Sequence, residues 1–364
     1  MSTFTVEVVS ITDVLPHPNA DRLELAKVND WLCVVPKGQY KAGSKCVYFP
    51  IDSVLPQELE AKIFPPDSKV KLRNSRVKTI KLRGAISQGL VVEPELFGFQ
   101  NLPPGTDVTK TLRVTKFEPA AAPFYVGLKG VSSPKQSNPH FRKYTGIENA
   151  KNYPSVFEEG EPVVVTEKIH GTNFRAGYVP FHADTLWKKV KRFFGLAPKY
   201  EFVYGSHNVQ LQSKMLYQGF YAQNVYAQAV NDYALKTILS PGEVVYGEIY
   251  GDGIQKGYTY GCEKEQRRLV LFDVLKDGVY LDPDGFERWA DAKHLPRVPV
   301  LYQGPFSKEL ILTLRDGDSV LSPGQKVREG VVVKPLKETL VHMGRKVLKF
   351  ISDEYLLRDQ TDYH

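Results

Sequence analysis

The sequence predicts an α+β chain in two parts, a small N-terminal β-barrel and a larger domain in which β-branched strands are mixed with helical segments. Three observations carry this. Short apolar runs separated by turn residues fill the stretch from about Phe4 to Val114, the even punctuation of a small barrel. Between residues 116 and 140 the composition shifts to Glu-Pro-Ala-Ala-Ala-Pro and Ser-Ser-Pro-Lys-Gln-Ser-Asn-Pro, which is linker chemistry. Beyond it, valine-rich runs each end on one or two charged residues, while the segment from Gln210 to Lys236 is rich in alanine, leucine and glutamine. The expected organisation is therefore a barrel over 1–115, a linker over 116–140 and a second domain over 141–364.

Length and composition fit this. At 364 residues, with 42% hydrophobic and 12% aromatic content, the chain is long enough to bury two cores. A formal charge of +7 suits a polyanionic partner, although a mild basic excess also occurs in proteins that bind none. Cys33, Cys46 and Cys262 are few, odd in number and never in a Cys-x-x-Cys pair, which argues against a disulfide framework and a cysteine zinc site. The first ten residues lack a basic start and an apolar core, and no run approaches about 18 apolar residues. The expectation is a soluble, cytoplasmic, monomeric protein with no membrane partner.

In the first part, strands are expected at Thr5 to Ile11, Leu23 to Val28, Leu32 to Val35, Cys46 to Phe49 and Val70 to Ile80. The last of these lies in a run from Lys69 to Arg83 that carries seven basic residues and no acid, with apolar residues between them. Period-two alternation would set Lys71, Arg73, Arg76 and Lys78 on one outer face suited to a phosphate backbone. An edge strand kept soluble by its charges gives the same pattern. RNA contact is the reading carried forward.

In the second part, the run Trp187-Lys-Lys-Val-Lys-Arg-Phe-Phe194 reads as an amphipathic helix, a surface helix with an apolar underside or one that touches phosphate. A strand from Phe202 leads into the turn Ser206-His207-Asn208, and Gln210 to Lys236 reads as helical, packed on a sheet.

One lysine stands out. Val163 to Val165 have the composition of a buried strand, Lys168 follows at its end, and Gly171 lets the chain turn back without a side-chain clash. A lysine so held becomes a nucleophile once its proton is removed, because only the free amine reacts. The pattern Lys-x-x-Gly alone is weak, for Lys81 to Gly84 and Lys143 to Gly146 match it too. Lys168 differs in its valine lead-in, in the preceding Glu167, and in a Gly-Thr-Asn-Phe continuation whose polar groups suit phosphate. Further strands carry the groups that could complete it: Gly247-Glu248 within Glu243 to Gly251, Phe272-Asp273 after Leu269-Val-Leu, Glu329-Gly-Val-Val-Val-Lys334, and Lys346-Val-Leu-Lys349.

Taken in order, Lys-x-x-Gly, Gly-Glu-x-x-Gly, Phe-Asp, Glu-Gly-Val-Val-Val-Lys and the final lysine strand resemble motifs I, III, IIIa, IV and V of the covalent nucleotidyltransferases. Those are the ATP-dependent RNA and DNA ligases and the mRNA capping enzymes. The wording Glu-Lys-Ile-His-Gly-Thr-Asn-Phe is similar to the nick-sealing branch of the RNA ligases, with His170 where DNA ligases and capping enzymes usually have aspartate. The segment His17-Pro-Asn-Ala-Asp-Arg-Leu23 resembles the opening of OB-type barrels in tRNA-binding domains.

The resemblance implies an N-terminal OB-type barrel and a nucleotidyltransferase domain of antiparallel sheets flanked by helices. It implies ATP and Mg²⁺ (or Mn²⁺) as cofactors, and RNA with 3′-hydroxyl and 5′-phosphate ends, as at a nick in a duplex, as the partner. Lys168 would attack the α-phosphate of ATP and become lysyl-AMP. Phe272 would stack on adenine and Glu248 would bind the ribose. Lys334, Lys349 and, less closely, Lys346 would contact phosphate. Glu329 and Asp273 would hold the metal, while Glu167, His170, Gly171 and Asn173 would line the nucleotide site.

Two features depart from the usual pattern. Ser206-His207 stands where the family has serine followed by arginine or lysine, at the contact to the 5′-phosphate. The last strand reads Lys346-Val-Leu-Lys349 instead of Lys-x-Lys. Since that strand lies about fifteen residues from His364, substrate grip is expected from the barrel and the catalytic surface. A DNA or mixed-substrate ligase, and a non-enzymatic RNA-binding protein with an inert lysine, are the alternative readings.

Overall fold

The structure, a computed structural model, describes residues 4–65, 68, 71–117, 137–183, 185–211 and 224–357. It divides into two compact units. One is made of the N-terminal residues to Ala120, joined by Ile147–Phe157 and the residues from Asp353; the other spans Ala121–Gly146 and Glu158–Ser352. The units therefore do not follow a single cut at residue 140. Most of the expected linker, 118–136, lies outside the described residues. Its end is anchored: the buried Asn138 donates from Nδ2 to the carbonyl of Pro180 and to Glu201.

The first unit is a small, strand-rich body. In it, β1 (Glu7–Ser10), β2 (Asp13–Pro16), β3 (Leu23–Val28), β4 (Trp31–Pro36) and β5 (Lys45–Phe49) are followed by the two-residue β6 (Ser53–Val54) and helix α1 (Gln57–Ile63). Then come β7 (Thr79–Leu82), β8 (Ala85–Gln88), β9 (Leu90–Val92) and the short β10 (Thr106–Asp107), β11 (Thr115–Lys116) and β12 (Glu148–Asn149). One sheet runs β10-β1-β5-β9, a second β2-β3-β4, and β7 pairs with β8 as a hairpin. Alternate residues of these strands face inward, and Val6, Val8, Val47, Phe49, Leu55, Val77 and Val92 form one core while Ala26, Val28, Trp31 and Cys33 form another. Each valine, leucine or phenylalanine among them stabilises by about 1.5–3 kcal/mol when fully buried.

The expected strand from Val70 to Ile80 is not continuous. Asn74 and Ser75 adopt φ of 56° and 55° within a short 3-10 turn at Arg73–Ser75; Arg76 then forms a single bridge with Val54, and a continuous strand begins only at Thr79. Asn and Ser form local side-chain hydrogen bonds and tolerate this left-handed region, so turn chemistry overrides the alternation.

The second unit stacks its chemistry on two antiparallel sheets. Its elements in order are β13 (Pro162–Glu167), β14 (Thr172–Pro180), α2 (Leu186–Phe193), β15 (Tyr200–Gly205), β16 (Gln210–Leu211), α3 (Val225–Asp232), α4 (Leu235–Ile238), β17 (Glu243–Gly251), β18 (Arg267–Lys276), β19 (Val279–Tyr280) and α5 (Pro283–Ala292). They continue with β20 (Val300–Pro305), α6 (Lys308–Arg315), β21 (Gly330–Pro335), β22 (Leu340–Val341), β23 (Gly344–Arg345) and β24 (Leu348–Ile351). The six-stranded sheet has the order β16-β15-β14-β17-β18-β19, and in the other sheet β24, β21, β13 and β20 are neighbours in that order. This is the α+β architecture of sheets flanked by helices. Where Gln210 to Lys236 reads as one helix from sequence, the structure has the strand β16 and then α3 and α4, with 212–223 outside the described residues.

Phe174, Ala176, Val245, Ile249, Leu269 and Leu271 point from one face of the six-stranded sheet into a core closed by Val225, Ala229 and Val230 of α3, Leu235 of α4 and Phe286 and Ala290 of α5. The opposite face is left for the residues in between. Asn173 and Arg175 on β14, and Tyr246 and Glu248 on β17, therefore share it by strand alternation.

Candidate active site

Lys168 follows β13 directly, and its backbone N–H donates to the carbonyl of Gly330 at 2.9 Å, which ties it to the start of β21. Gly330 can take its φ of 149° and lie where a Cβ would come 2.2 Å from the Phe350 carbonyl oxygen only because it has no side chain. This close approach brings Glu329 beneath the lysine. The ammonium Nζ of Lys168 is 2.7 Å from Glu329 Oε1, and Glu329 is only 1% exposed. Apart from that ion pair, neither Glu329 oxygen accepts a hydrogen bond. His170 is buried, with Nδ1 3.8 Å from Glu329 Oε2, its backbone N–H donating to the Tyr260 hydroxyl at 2.8 Å and its ring edge-on to Tyr258.

Gly171 brings the second sheet in. A Cβ there would lie 2.2 Å from the Ile249 carbonyl oxygen and 2.9 Å from Glu248 Cγ, so only glycine lets β14 start against β17. Asn173 then pairs with Glu248 across the two strands, their side chains on one face. The Asn173 Oδ1 atom is buried without a hydrogen-bond partner. Burial pushes the Glu248 carboxyl up to about 8; Lys168 opposes this and the carboxylate of Glu329 adds to it.

Phe272 owes its place to a bulge. Tyr246 pairs with Asp273 and Gly247 with Leu271, leaving Phe272 as the extra residue of β18. Bulges re-aim a side chain in this way. Its ring is half-buried, edge-on to Tyr144 at 4.9 Å between centroids. Lys334 donates from Nζ to the Phe272 carbonyl at 2.9 Å and to Asp273 at 2.9 Å. Lys349 pairs with Val332, which pairs with Thr166, so these residues and Lys334 share one face of the sheet.

Several expected site residues are elsewhere. Asp273 is 1% exposed, and its Oδ2 accepts from the Tyr144 hydroxyl at 2.7 Å, from Lys334 and from Arg345 at 2.9 Å; an oxygen so engaged is not open to a metal. The structure therefore corrects Asp273 from metal ligand to the anionic centre of a buried network. Lys346 is paired with Glu161 at 2.7 Å, at the opposite end of β13 from Lys168, about 20 Å away along six residues of strand. It is not part of the nucleotide site. Glu167 alternates to the face opposite Thr166 and Lys334, where its Oε2 accepts from the N–H groups of Val320 and Leu321 and holds that loop.

Ser206 and His207 sit at the turn after β15. Arg175, only 3% exposed, donates from Nε to the Ser206 carbonyl at 2.8 Å and from Nη1 to the Phe141 carbonyl. Burial lowers Arg175 to about 10, and burial first, then Lys143 and Arg175, pulls His207 below its usual range. Sequence reasoning missed Arg175, Tyr144 and Arg345. Arg175 was findable: two positions after Asn173 in a strand, it must share that residue's face.

In the first unit, Lys71 and Arg73 are exposed and Lys78 is half-buried on a groove of about 660 Å³. Arg76 departs from the expected outer face. It is buried, paired with Asp52 at 2.5 Å and stacked on the Phe117 ring at 3.6 Å. An arginine so satisfied is a structural clamp, which sets Arg76 apart from Lys71, Arg73 and Lys78.

Among the described residues no group of three or more His, Cys, Asp or Glu side chains could hold a metal ion, and no helix is long and apolar enough to cross a membrane.

A family model described as RNA ligase matches residues 161–351, and an OB-fold domain model matches residues 5–94. No curated protein gives a match. Among solved structures, the chain is similar to Naegleria gruberi RNA ligase. The similarity is 25% identity and a TM-score of 0.74 to a lysine-to-methionine mutant with AMP and Mn, over 97% of this chain and 98% of that one. The same ligase with PPi, and an arginine-to-alanine mutant of it with ATP and Mn, both align at 25% identity and a TM-score of 0.73, again over 97% and 98% of the two chains.

Proposed function

We propose that this chain, which belongs to the RNA ligase family, is an ATP-dependent enzyme that joins RNA 3′-hydroxyl and 5′-phosphate ends through lysyl-AMP and RNA-adenylate. The observation that carries this reading is Lys168, fixed by its backbone to β21, with its ammonium on the buried Glu329 and with Glu248, Asn173 and Phe272 on the neighbouring sheet.

In the first step the Lys168 amine attacks the α-phosphorus of ATP; an N–P bond forms, the bond to the bridging oxygen breaks, and pyrophosphate leaves. In the second, an oxygen of the RNA 5′-phosphate displaces the lysine and takes AMP. In the third, the RNA 3′-hydroxyl attacks the activated 5′-phosphate, loses its proton and releases AMP. Phe272 offers its ring to adenine, Glu248 meets the ribose, and Lys349 lies with Lys334 on the face that would meet phosphate. His170 and Asn173 border the same space.

The resting lysine must first lose a proton, which costs about 4–5 kcal/mol at neutral pH for an ordinary amine. Glu329 at 2.7 Å favours the ammonium, so the ion pair has to be broken before attack. A divalent ion fits there: a buried carboxylate accepting no hydrogen bond supplies one hard oxygen donor, and Mg²⁺ commonly takes one or two carboxylates with the substrate's phosphates completing its shell. Once bound, such an ion supplies charge neutralisation of the triphosphate. Glu329 would hold it, releasing Lys168.

The test is incubation with Mg²⁺ and ATP labelled at the α-phosphate, beside labelled GTP, followed by a denaturing gel. Acid-labile label on the protein from ATP alone is the expected outcome. Label from GTP alone, or none with folded protein free of prior AMP, would sink the reading.

Lys71, Arg73 and Lys78 are proposed to track the RNA backbone along the groove of the first unit. Changing all three to glutamine is expected to flatten the slope of log affinity against log salt by about 2, from about 0.7 per phosphate on single strands. Binding titrations between low and moderate salt measure this, and an unchanged slope removes the groove from the RNA path.

A further inference from the structure

Helix α2 sits at the tip of the β14–β15 hairpin, whose last pair is Pro180 with Tyr200. It is capped locally: the Thr185 hydroxyl accepts from the Lys188 N–H at 3.3 Å, and Gly195 closes the C-terminal end at φ 67°. Among the described residues, nothing buries its apolar side. Leu186 is 80% exposed, Trp187 66%, Phe193 85% and Phe194 67%, and no residue of α2 is buried. On a helical wheel Leu186, Val190, Phe193 and Trp187 form one stripe, bordered on one side by Lys189 and on the other by Lys191, whose Nζ lies 5.5 Å from the Trp187 ring centre. Between residues 185 and 200 the sequence has five basic residues and no acid.

We infer that α2 is a docking surface for the RNA strand leading away from the break, its rings taking bases and its lysines and arginine the phosphates. The inference rests on the ligase reading above and adds a contact remote from the chemistry. Charge complementarity selects a polyanion. Among polyanions, a single RNA strand fits better than a lipid surface for two reasons. Trp187, Phe193 and Phe194 present planar rings, on which any base stacks regardless of sequence. An eight-residue helix also offers little apolar area for adsorption to a bilayer, where binding grows with the area buried.

The distance is set by the fold. β14 begins four residues after Lys168 and runs for nine residues, about 30 Å at the rise of a strand, before the chain reaches α2. At about 3.4 Å per nucleotide of a stacked strand, that span corresponds to eight or nine nucleotides. Short RNA therefore reaches the nucleophile without reaching α2.

The experiment compares the full chain with two variants, Trp187→Ala/Phe193→Ala/Phe194→Ala and Lys189→Gln/Lys191→Gln/Arg192→Gln. Binding is measured to single-stranded RNA of 6 and 24 nucleotides by fluorescence anisotropy. Each variant is expected to lose about tenfold or more in affinity for the 24-mer, none for the 6-mer, and to form lysyl-AMP as the parent does. Unchanged affinity for the 24-mer in both variants overturns the inference, as does an equal loss on both lengths. A lipid arm with phosphatidylserine–phosphatidylcholine vesicles is run beside it. Parent-only cosedimentation with these vesicles, with RNA affinity unchanged, would give α2 to a membrane and also overturn it. Failure of the ligase reading itself would show separately, as a parent protein that never acquires AMP.

Discussion

Lys168→Met is expected to abolish transfer of AMP to the protein, a loss of at least about four orders of magnitude in the single-turnover rate, comparable with removal of other covalent nucleophiles. No other described lysine combines a place at the end of β13 with the Glu329 partner. The substitution has a second effect, because Glu329 is 1% exposed and would lose its cation. Removing one member of a buried pair leaves an uncompensated charge. With the lysine itself 23% exposed, a cost of about 1–3 kcal/mol is expected. Lys168→Arg separates the two effects, since it keeps a cation for Glu329 and supplies no comparable nucleophile. Labelling should vanish in both variants, whereas thermal stability should recover towards the parent in the arginine one. Persistent label in Lys168→Met would transfer the nucleophile to another residue.

Asp273→Ala should produce the largest loss of stability of any single change considered, about 3–5 kcal/mol, or roughly 10 °C in melting temperature. The carboxylate lies between Lys334 and Arg345 with the Tyr144 hydroxyl on the same oxygen. Arg345 keeps Glu338 after the change, through hydrogen bonds of 2.5 and 2.6 Å, whereas Lys334, 12% exposed, keeps only the Phe272 carbonyl. The stranded ammonium is the main cost.

The pH dependence follows. Burial is the largest influence on Asp273 and pushes its carboxyl up, but Lys334 and Arg345 together outweigh it and hold the group below its ordinary value. A depressed carboxyl contributes stability that is fully present above the unfolded value, near 3.9, and is lost as pH falls through the folded value. The gap between parent and Asp273→Ala in denaturant melts should therefore be widest at neutral pH and shrink in strong acid. Equal melting of the two proteins at neutral pH would show that the network contributes no net stability.

The sequence exposes the residues whose role depends on a short spacing and hides those whose role depends on a distant partner. Lys168, Gly171 and Asn173 are legible because one tight turn and one strand place all three. Glu248 and Glu329, singled out by the order of the motifs around them, come to lie close to Lys168, and Phe272 is set apart on its strand by a bulge. Asp273, Lys346 and Arg76 carry charges that look available in a linear reading. Each is consumed by a partner far away along the chain: Arg345, Glu161 and Asp52 respectively. Alternation could have set Glu167 apart from Thr166, since adjacent strand residues cannot share a face. At the fold level the two-part α+β organisation was readable from punctuation and composition. The break at Asn74-Ser75 was also readable as turn chemistry, but the alternating charges concealed it.

The two faces of β14 have a consequence for how such a chain can vary over time. Asn173 and Arg175 share the face of Glu248, on which the nucleotide is proposed to bind, while Phe174 and Ala176, between and beside them, look into the core. The proposed catalytic role and folding are thus written in alternate letters of one word. A substitution alters one letter and leaves the other reading intact. Insertion or deletion of a single residue exchanges the two, sending Phe174 to the face of Glu248 and Asn173 into the core. Drift at this strand is therefore confined to replacement, and the hydrophobic core alone is enough to fix the interval from Lys168 to Asn173.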